Sequence, residues 1–348
     1  MTTVPSQKPR LCIVGPLVGR HPGYVTTQSL ILADLFAAAG FPVIAVSDRL
    51  NRYRRLVEIA WTLARRRKEY DILVLDVFGG PSFVIEEIAS AIARATGRKI
   101  VMFLRGGAMP AFMARFPRWT RRVLARADRI LTPSAFLQRA LAEHGIAAGI
   151  LPNVIDLANY PHRHRRELRP RLFWMRSFHP VWNPEMAVRV LARLGPEATL
   201  VMAGEDKGLE AASRRLAEEL GVAGRVRFAG FLDRDGKRRA GEEAEIYLNT
   251  NRIDNMPVSV LEAGAMGMPV VATNVGGIPD LLTDGETALL VPDDDDRAMA
   301  AAVQRLLDDP DLAARLSTNG RALAERCSWR ELLPKWERLF EELRKEGR

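Results

Sequence analysis

Short, nearly continuous apolar runs alternate along this chain with longer stretches in which apolar positions recur every three or four residues. A continuous run reads as a strand buried on both faces, and the longer period as an amphipathic helix. In the first half strands are predicted at "RLCIVGP", "FPVIAVS", "DILVLDVF", "KIVMFLRGG" and "ADRILTPS", with "GIAAGILPNVI" closing the series. Between them "VTTQSLILADLFAAAG", ended by Gly40, "RYRRLVEIAWTLARRRKEY" and "SFVIEEIASAIARATG" read as helices. Residues 160–171, "YPHRHRRELRPR", carry no apolar period and read as a linker. The pattern then restarts. "LFWMRSF", "ATLVMAG" and "RVRFAGFL" are predicted strands, and "PEMAVRVLARLG" and "GLEAASRRLAEELG" predicted helices. "AEIYLNTN", "PVVAT" and "ALLVP" follow, then helices over roughly 294–308 and 310–326 and an amphipathic tail. This alternation implies parallel βαβ units in two α/β halves. The expected division is 1–165, 166–328, and a C-terminal helix over 329–348 that returns to the first domain. Two such halves would form a cleft at the carboxyl ends of their strands, where open α/β sheets bind ligands.

Length and composition agree with two cores: 348 residues, 47% hydrophobic. No apolar run approaches the ~18 residues of a membrane-spanning helix. "MTTVPSQKPR" lacks the apolar region of a secretory signal. Cys12 and Cys327 are isolated, which fits a reducing cytoplasm better than a disulfide framework. Charge changes the picture more. The net +9 is uneven: residues 1–168 hold 25 Lys+Arg against 12 Asp+Glu. That half therefore expects an anionic partner, with solvated surface arginines as the plain alternative. "RYRRLVEIAWTLARRRKEY" and "FPRWTRRVLARAD" combine arginines with aromatic and aliphatic residues, as an anionic membrane surface requires. No aromatic-rich nucleic-acid motif accompanies them, so nucleic acid is not an expected partner.

The densest chemistry lies in "DNMPVSVLEAGAMGMPVVATNVGGIPDLL", 254–282. Pro257 suits the first position of a helix, because its missing N–H would be unpaired there in any case. Asp254 and Asn255 precede it, where polar side chains satisfy free N–H groups. Gly267 and Pro269 end the helix after about three turns. Glu262 is the one charge in an apolar helix, and a buried unpaired carboxylate is costly, so it must reach a ligand or a partner. A carboxylate there can accept from a vicinal diol, and the helix start can hold hydroxyls or phosphate oxygens. An Asp254 that only caps, with a Glu262 paired inside the protein, is the other reading.

The segment resembles the donor-site signature of the family 4 retaining glycosyltransferases of GT-B fold: an acid, seven residues, then "EAGAMGMPVV". "NVGGIPDLL", "GETALLVP", "ILPNVID", "WMRSFHP" and "RVRFAGFL" extend the likeness, most specifically from Leu172 to Trp329. The resemblance implies two Rossmann-like domains facing each other across a cleft, and transfer of a sugar from a nucleoside diphosphate donor to an acceptor hydroxyl with retention and without a metal or other cofactor. It implies that Glu262 binds the donor ribose and Asp254 the transferred sugar. The backbone at Asn255, Met256, Pro257 and Val258 faces that sugar and the diphosphate, although Pro257 has no N–H to offer. Arg176 pairs the diphosphate, Gly230 and Phe231 lie beside the base, and Gly23 approaches the phosphate. Four positions depart from the family pattern. Asp254 replaces the usual Glu, Trp182 a usual Lys, and Tyr24 the second glycine of the first loop; Arg105 stands where a histidine is common and is expected to orient donor or acceptor. The implied acceptor is a sugar or a lipid-linked molecule of cell-envelope polysaccharide or glycolipid synthesis.

Outside the signature, "DDDD" at 293–296 looks like a metal site but precedes a helix, where acids cap and match the dipole. His162 and His164 have weak metal spacing; no metal site is expected. His21, His179 and Asp76 are loop or strand-end positions able to contact substrate, with Asp76 and His21 the acceptor candidates. Two rivals remain: an epimerase or phosphorylase on the same plan, which needs acids over the sugar ring or a cofactor lysine, and a non-catalytic nucleotide-sugar binder, recognised by binding without turnover.

Overall fold

The structure, a computed structural model, describes residues 8–21, 23, 24 and 26–346. Residues 1–7 of the N-terminal stretch, which lacks the apolar region of a secretory signal, lie outside the described residues, as does Pro22 of "HPGY". The chain divides into two units: 1–154 with 332–348, and 155–331.

In unit 1, β1 (Leu11–Val14), β2 (Val43–Val46), β3 (Ile72–Val77), β4 (Lys99–Leu104), β5 (Arg129–Thr132) and β6 (Gly149–Ile150) form one sheet in the order β2-β1-β3-β4-β5-β6. All neighbours pair parallel. In unit 2, β7 (Arg171–Met175), β8 (Thr199–Ala203), β9 (Val226–Gly230), β10 (Ile246–Asn249), β11 (Val270–Thr273) and β12 (Leu289–Val291) run in the order β12-β11-β10-β7-β8-β9, again all parallel. β1, β3, β10 and β11 are buried along their whole length. Helices cover both faces of a parallel sheet, which is why these strands read as unbroken apolar runs.

Two details depart from the sequence reading. The division falls after Val154, not after residue 165. Residues 155–165 belong to unit 2 because their polar groups are satisfied there. The Ile155 N–H donates to Cys327 O. The Arg165 guanidinium, 2% exposed, donates to Gly241 O at 2.6 Å and Ala244 O at 3.0 Å, with Glu245 at 3.4 Å. Burial lowers its pKa to about 10. Pro257, expected as the first helical residue, is instead the N-cap of the helix Val258–Ala265, which is shorter than three turns.

The C-terminal helix Trp329–Lys345 passes into unit 1 at Leu332. There Trp336 and Phe340 pack on Phe36, with ring centroids 5.5 and 5.6 Å away. Cys12 and Cys327 are buried and are not joined in a disulfide. Among the described residues no helix is long and apolar enough to cross a membrane.

Candidate functional site

Unit 2 gathers the acids of the signature at the carboxyl ends of β7 and β10. Asp254 follows β10 and is nearly buried. Its Oδ2 accepts from Arg176 Nη2 at 2.9 Å and Asn251 Nδ2 at 2.7 Å; its Oδ1 accepts from the Asn255 N–H at 2.7 Å. Met256 donates its N–H to the same carboxylate. Burial pushes the Asp254 carboxyl above its ordinary pKa, while Arg176 and these donors pull it down. The Asn255 and Met256 amides, expected to face a ligand, are thus held by Asp254. Val258 opens the helix.

Backbone contacts fix this pair. The Gly277 N–H donates to Asp254 O at 2.8 Å. Gly276 has φ +54°, and a Cβ there would lie 2.3 Å from Asp254 O. Only glycine permits both that dihedral and that approach. Across the sheet, a Cβ on Gly204 would lie 1.8 Å from Arg176 O, and the Gly204 N–H donates to Gly230 O at 2.8 Å. Gly230 therefore supports the turn under Arg176. Phe231, half-buried, follows it.

Arg176 is also stacked. Its Cζ lies 3.7 Å from the centroid of Trp182, the residue at the usual lysine position. A cation on an aromatic face at this distance is attracted by the ring quadrupole. The buried Nε of Arg176 has no hydrogen-bond partner. Trp182 thus removes one cation and braces another.

Glu262, 6% exposed, is paired through two residues that the sequence did not single out. Tyr160 donates its hydroxyl to Oε1 at 2.6 Å, and Lys237 Nζ reaches Oε1 at 3.0 Å and Oε2 at 3.3 Å. Burial, then the Glu262 charge, raises the Tyr160 pKa, so the phenol keeps its proton to donate. Lys237 sits on the helix Arg234–Glu243, whose buried residues are Gly236, Ala240 and Gly241. Small residues leave no apolar period to predict a helix from.

In unit 1, Asp76 near the end of β3 and Arg105 just after β4 meet each other. Arg105 Nε donates to Asp76 Oδ1 at 2.8 Å, their side chains 6% and 3% exposed. Ser29 Oγ donates to the other Asp76 oxygen, Arg105 Nη1 donates to Asn153 Oδ1, and the guanidinium lies 3.7 Å from the Phe103 centroid. Beside them Glu86 is buried; its Oε1 accepts from the Phe78 N–H at 3.0 Å, while Oε2 has no partner. Burial raises its pKa to about 8. His21 Nε2 lies 2.8 Å from Asp48 O, and His21 lines a shallow hollow with Arg49, Leu50 and Arg54. Gly23 has open space around it.

The acidic run is a cap. Asp295 accepts from the Ala298 N–H at 2.8 Å, Asp294 pairs with Asn183 and Arg252, and Asp296 with Arg189 and Arg193. Among the described residues no group of three His, Cys, Asp or Glu side chains gathers as a metal site. His179 is exposed, its Nδ1 accepting from the Val181 N–H.

Comparison with known proteins agrees with this layout. The family model described as "Glycosyl transferases group 1" matches residues 162–323. A D-inositol 3-phosphate glycosyltransferase of Acidothermus cellulolyticus is 30% identical over 231 residues, 60% of this chain and 51% of that protein. The chain spans about half the length of the curated relatives it matches. Among solved structures, sucrose-phosphate synthase from Thermosynechococcus elongatus superposes with a TM-score of 0.81 at 18% identity, covering 97% of this chain and 100% of that one. Anabaena Alr3699/HepE in complex with UDP and glucose superposes with 0.76 at 14% identity, covering 97% and 100%. At such identities the likeness is one of fold.

Proposed function

We propose that this chain, whose residues 162–323 match the glycosyl transferases group 1 model and whose fold is that of GT-B proteins, is a retaining glycosyltransferase whose donor, a nucleoside diphosphate sugar, binds at the Asp254–Glu262 corner. The observation that carries this reading is the pairing of two buried carboxylates with Arg176 and with Tyr160 and Lys237 around one helix start. Glu262 accepts the ribose diol and Asp254 the hydroxyls of the transferred sugar. Arg176, with its unspent Nε donor, takes the diphosphate; a planar forked cation suits that task. Gly230 and Phe231 border the base.

In the reaction, the bond from the anomeric carbon to the diphosphate oxygen breaks, and the acceptor oxygen bonds that carbon on the same face. The acceptor proton passes to the departing phosphate oxygen. The protein contributes alignment and stabilisation of the leaving charge, with no metal or other cofactor in the scheme. Asp76 and Arg105, held together, position the acceptor side of unit 1, with His21 a second acceptor contact. The acceptor is a sugar or lipid-linked hydroxyl of cell-envelope polysaccharide or glycolipid synthesis. Two buried cysteines that are not joined in a disulfide favour a cytoplasmic setting.

Thermal shift and calorimetry with UDP, GDP and ADP, followed by their sugar conjugates, test the donor site. One diphosphate should stabilise the protein, and Glu262→Ala should remove the gain. Stabilisation by none of them sinks the donor reading. Binding without transfer to any acceptor, or with epimerisation of the bound sugar, replaces the transferase with one of its rivals.

A further inference from the structure

The helix Arg52–Arg65 turns Ile59, Thr62 and Leu63 into unit 1. On its outer side Tyr53, Val57 and Trp61, spaced four residues apart, are 65%, 68% and 63% exposed, and Leu50 just before the helix is 48% exposed. At 1.5 Å per residue the three form a stripe about 12 Å long. Large side chains left outside in one line are unusual on a solvated surface. Cations frame them: Arg52, Arg54, Arg65, Arg67 and Lys68 are exposed. Of the acids nearby, Glu58 pairs with Arg49 at 3.2 Å and Glu69 with Arg66 at 2.7 Å, and Asp48 lies in the hollow lined by Arg49, Leu50 and Arg54, so that cations still outnumber acids along this face.

The second basic, aromatic segment differs. Trp119 donates its indole N–H to Glu87 at 2.6 Å and packs edge-on to Phe83 at 5.0 Å; Arg122 and Arg126 also pair with Glu87. Its aromatic and cationic groups serve unit 1 itself, so composition alone does not separate two segments that the structure does.

We infer that the outer face of the helix Arg52–Arg65 docks on an anionic lipid surface, Tyr53, Val57 and Trp61 entering the headgroup layer while the flanking arginines meet lipid phosphates. Tyr and Trp, apolar with one polar tip, suit that depth. Exposed Val57 and Leu50 have no π-face on which a base could stack, so the stripe fits lipid better than nucleic acid. The inference stands apart from the donor site, whose residues all lie elsewhere.

The test is co-sedimentation of the full chain with phosphatidylcholine vesicles, with and without phosphatidylglycerol, at low and high salt. The expected result is binding to the anionic vesicles alone, released by salt. Val57→Ser with Trp61→Ser should weaken it on the order of tenfold or more. Arg54→Ala should weaken it about fivefold. An unchanged thermal midpoint shows that the variants fold. Absence of binding, equal binding to neutral vesicles, or wild-type binding by the double variant overturns the inference. So does self-association without vesicles that the same substitutions abolish, or retention on single-stranded DNA that depends on Trp61.

Discussion

Glu86→Gln should stabilise unit 1 by an amount that grows with pH. The Glu86 carboxyl lies in the first turn of the helix Phe83–Ala95, 2% exposed, with one oxygen on the Phe78 amide and the other unpartnered. Burial, reinforced by the Asp76 charge, raises its pKa from 4.5 to about 8. The unfolded chain releases the proton near pH 4.5 and the folded chain keeps it until about pH 8. Folded stability therefore falls as pH rises through that window and levels off above it. At 1.36 kcal/mol per pH unit, ionising this group in the folded protein costs on the order of 5 kcal/mol. Glutamine matches the neutral acid in shape and never ionises. At pH 5 the variant and the wild type should be nearly equally stable. At pH 9, above both values, the variant should be more stable by on the order of 5 kcal/mol, the linkage cost it avoids. Native-state hydrogen exchange of β3 peptides across this pH range reads unit 1 separately from unit 2. A difference that does not change with pH, or a wild type more stable at pH 9, refutes the reasoning.

Four further substitutions test the acidic corner. Gly276→Ala sets a Cβ against Asp254 O at a left-handed dihedral, which costs ~1–2 kcal/mol before the clash is counted; urea midpoints should fall and calorimetric nucleotide affinity with them, and a variant unchanged in both contradicts the close approach. Arg176→Gln leaves Asp254 without its cation, a loss of roughly 2–4 kcal/mol for a largely buried pair. Adding Asp254→Asn should restore most of that stability and none of the nucleotide binding, whereas additive losses would show the pair uncoupled. Tyr160→Phe removes a hydrogen bond to an ionised acceptor, about 1.5–3 kcal/mol; denaturation should show it, and an unaltered midpoint means that Lys237 alone holds Glu262.

The sheets were legible because parallel strands are covered on both faces and their apolar runs are contiguous, as at Ile72–Val77 and Val270–Thr273. The helices Met109–Arg115, Ala135–Glu143 and Arg234–Glu243 were not predicted. The last buries only small residues, so its pattern carries charge and no period. Residues 160–171 read as a linker partly because Arg165 looks like a solvated charge; its burial depends on carbonyls of Gly241 and Ala244, nearly eighty residues on. Asp254, Glu262 and Gly276 stood out because they are local to one segment. Tyr160 and Lys237 did not, since only the fold brings residues 102 and 25 positions away onto Glu262. Glu86 resembles any acid in a first turn, and its burial is a property of β3 and the helix together.

The corner is self-neutralised: Arg176 is on Asp254 and Lys237 on Glu262. A ligand carrying only negative charge would draw Arg176 and leave Asp254 buried with hydrogen bonds alone. A ligand carrying only hydroxyls would satisfy the carboxylates and offer nothing to the Arg176 Nε. A nucleoside diphosphate sugar brings both kinds of group, and on the reading proposed here its arrival exchanges partners without stranding a charge. Its hydroxyls join the carboxylates as its phosphates join the guanidinium. Free diphosphate should therefore bind more weakly than the sugar conjugate, because it cannot compensate Asp254. Trp182 sharpens this difference. With a tryptophan at the lysine position, Arg176 must serve Asp254 and the phosphates together, and the stack at 3.7 Å holds it in place. Calorimetry comparing a nucleoside diphosphate with its sugar conjugate decides the point. Equal affinities would mean that Asp254 takes no share in binding the transferred sugar.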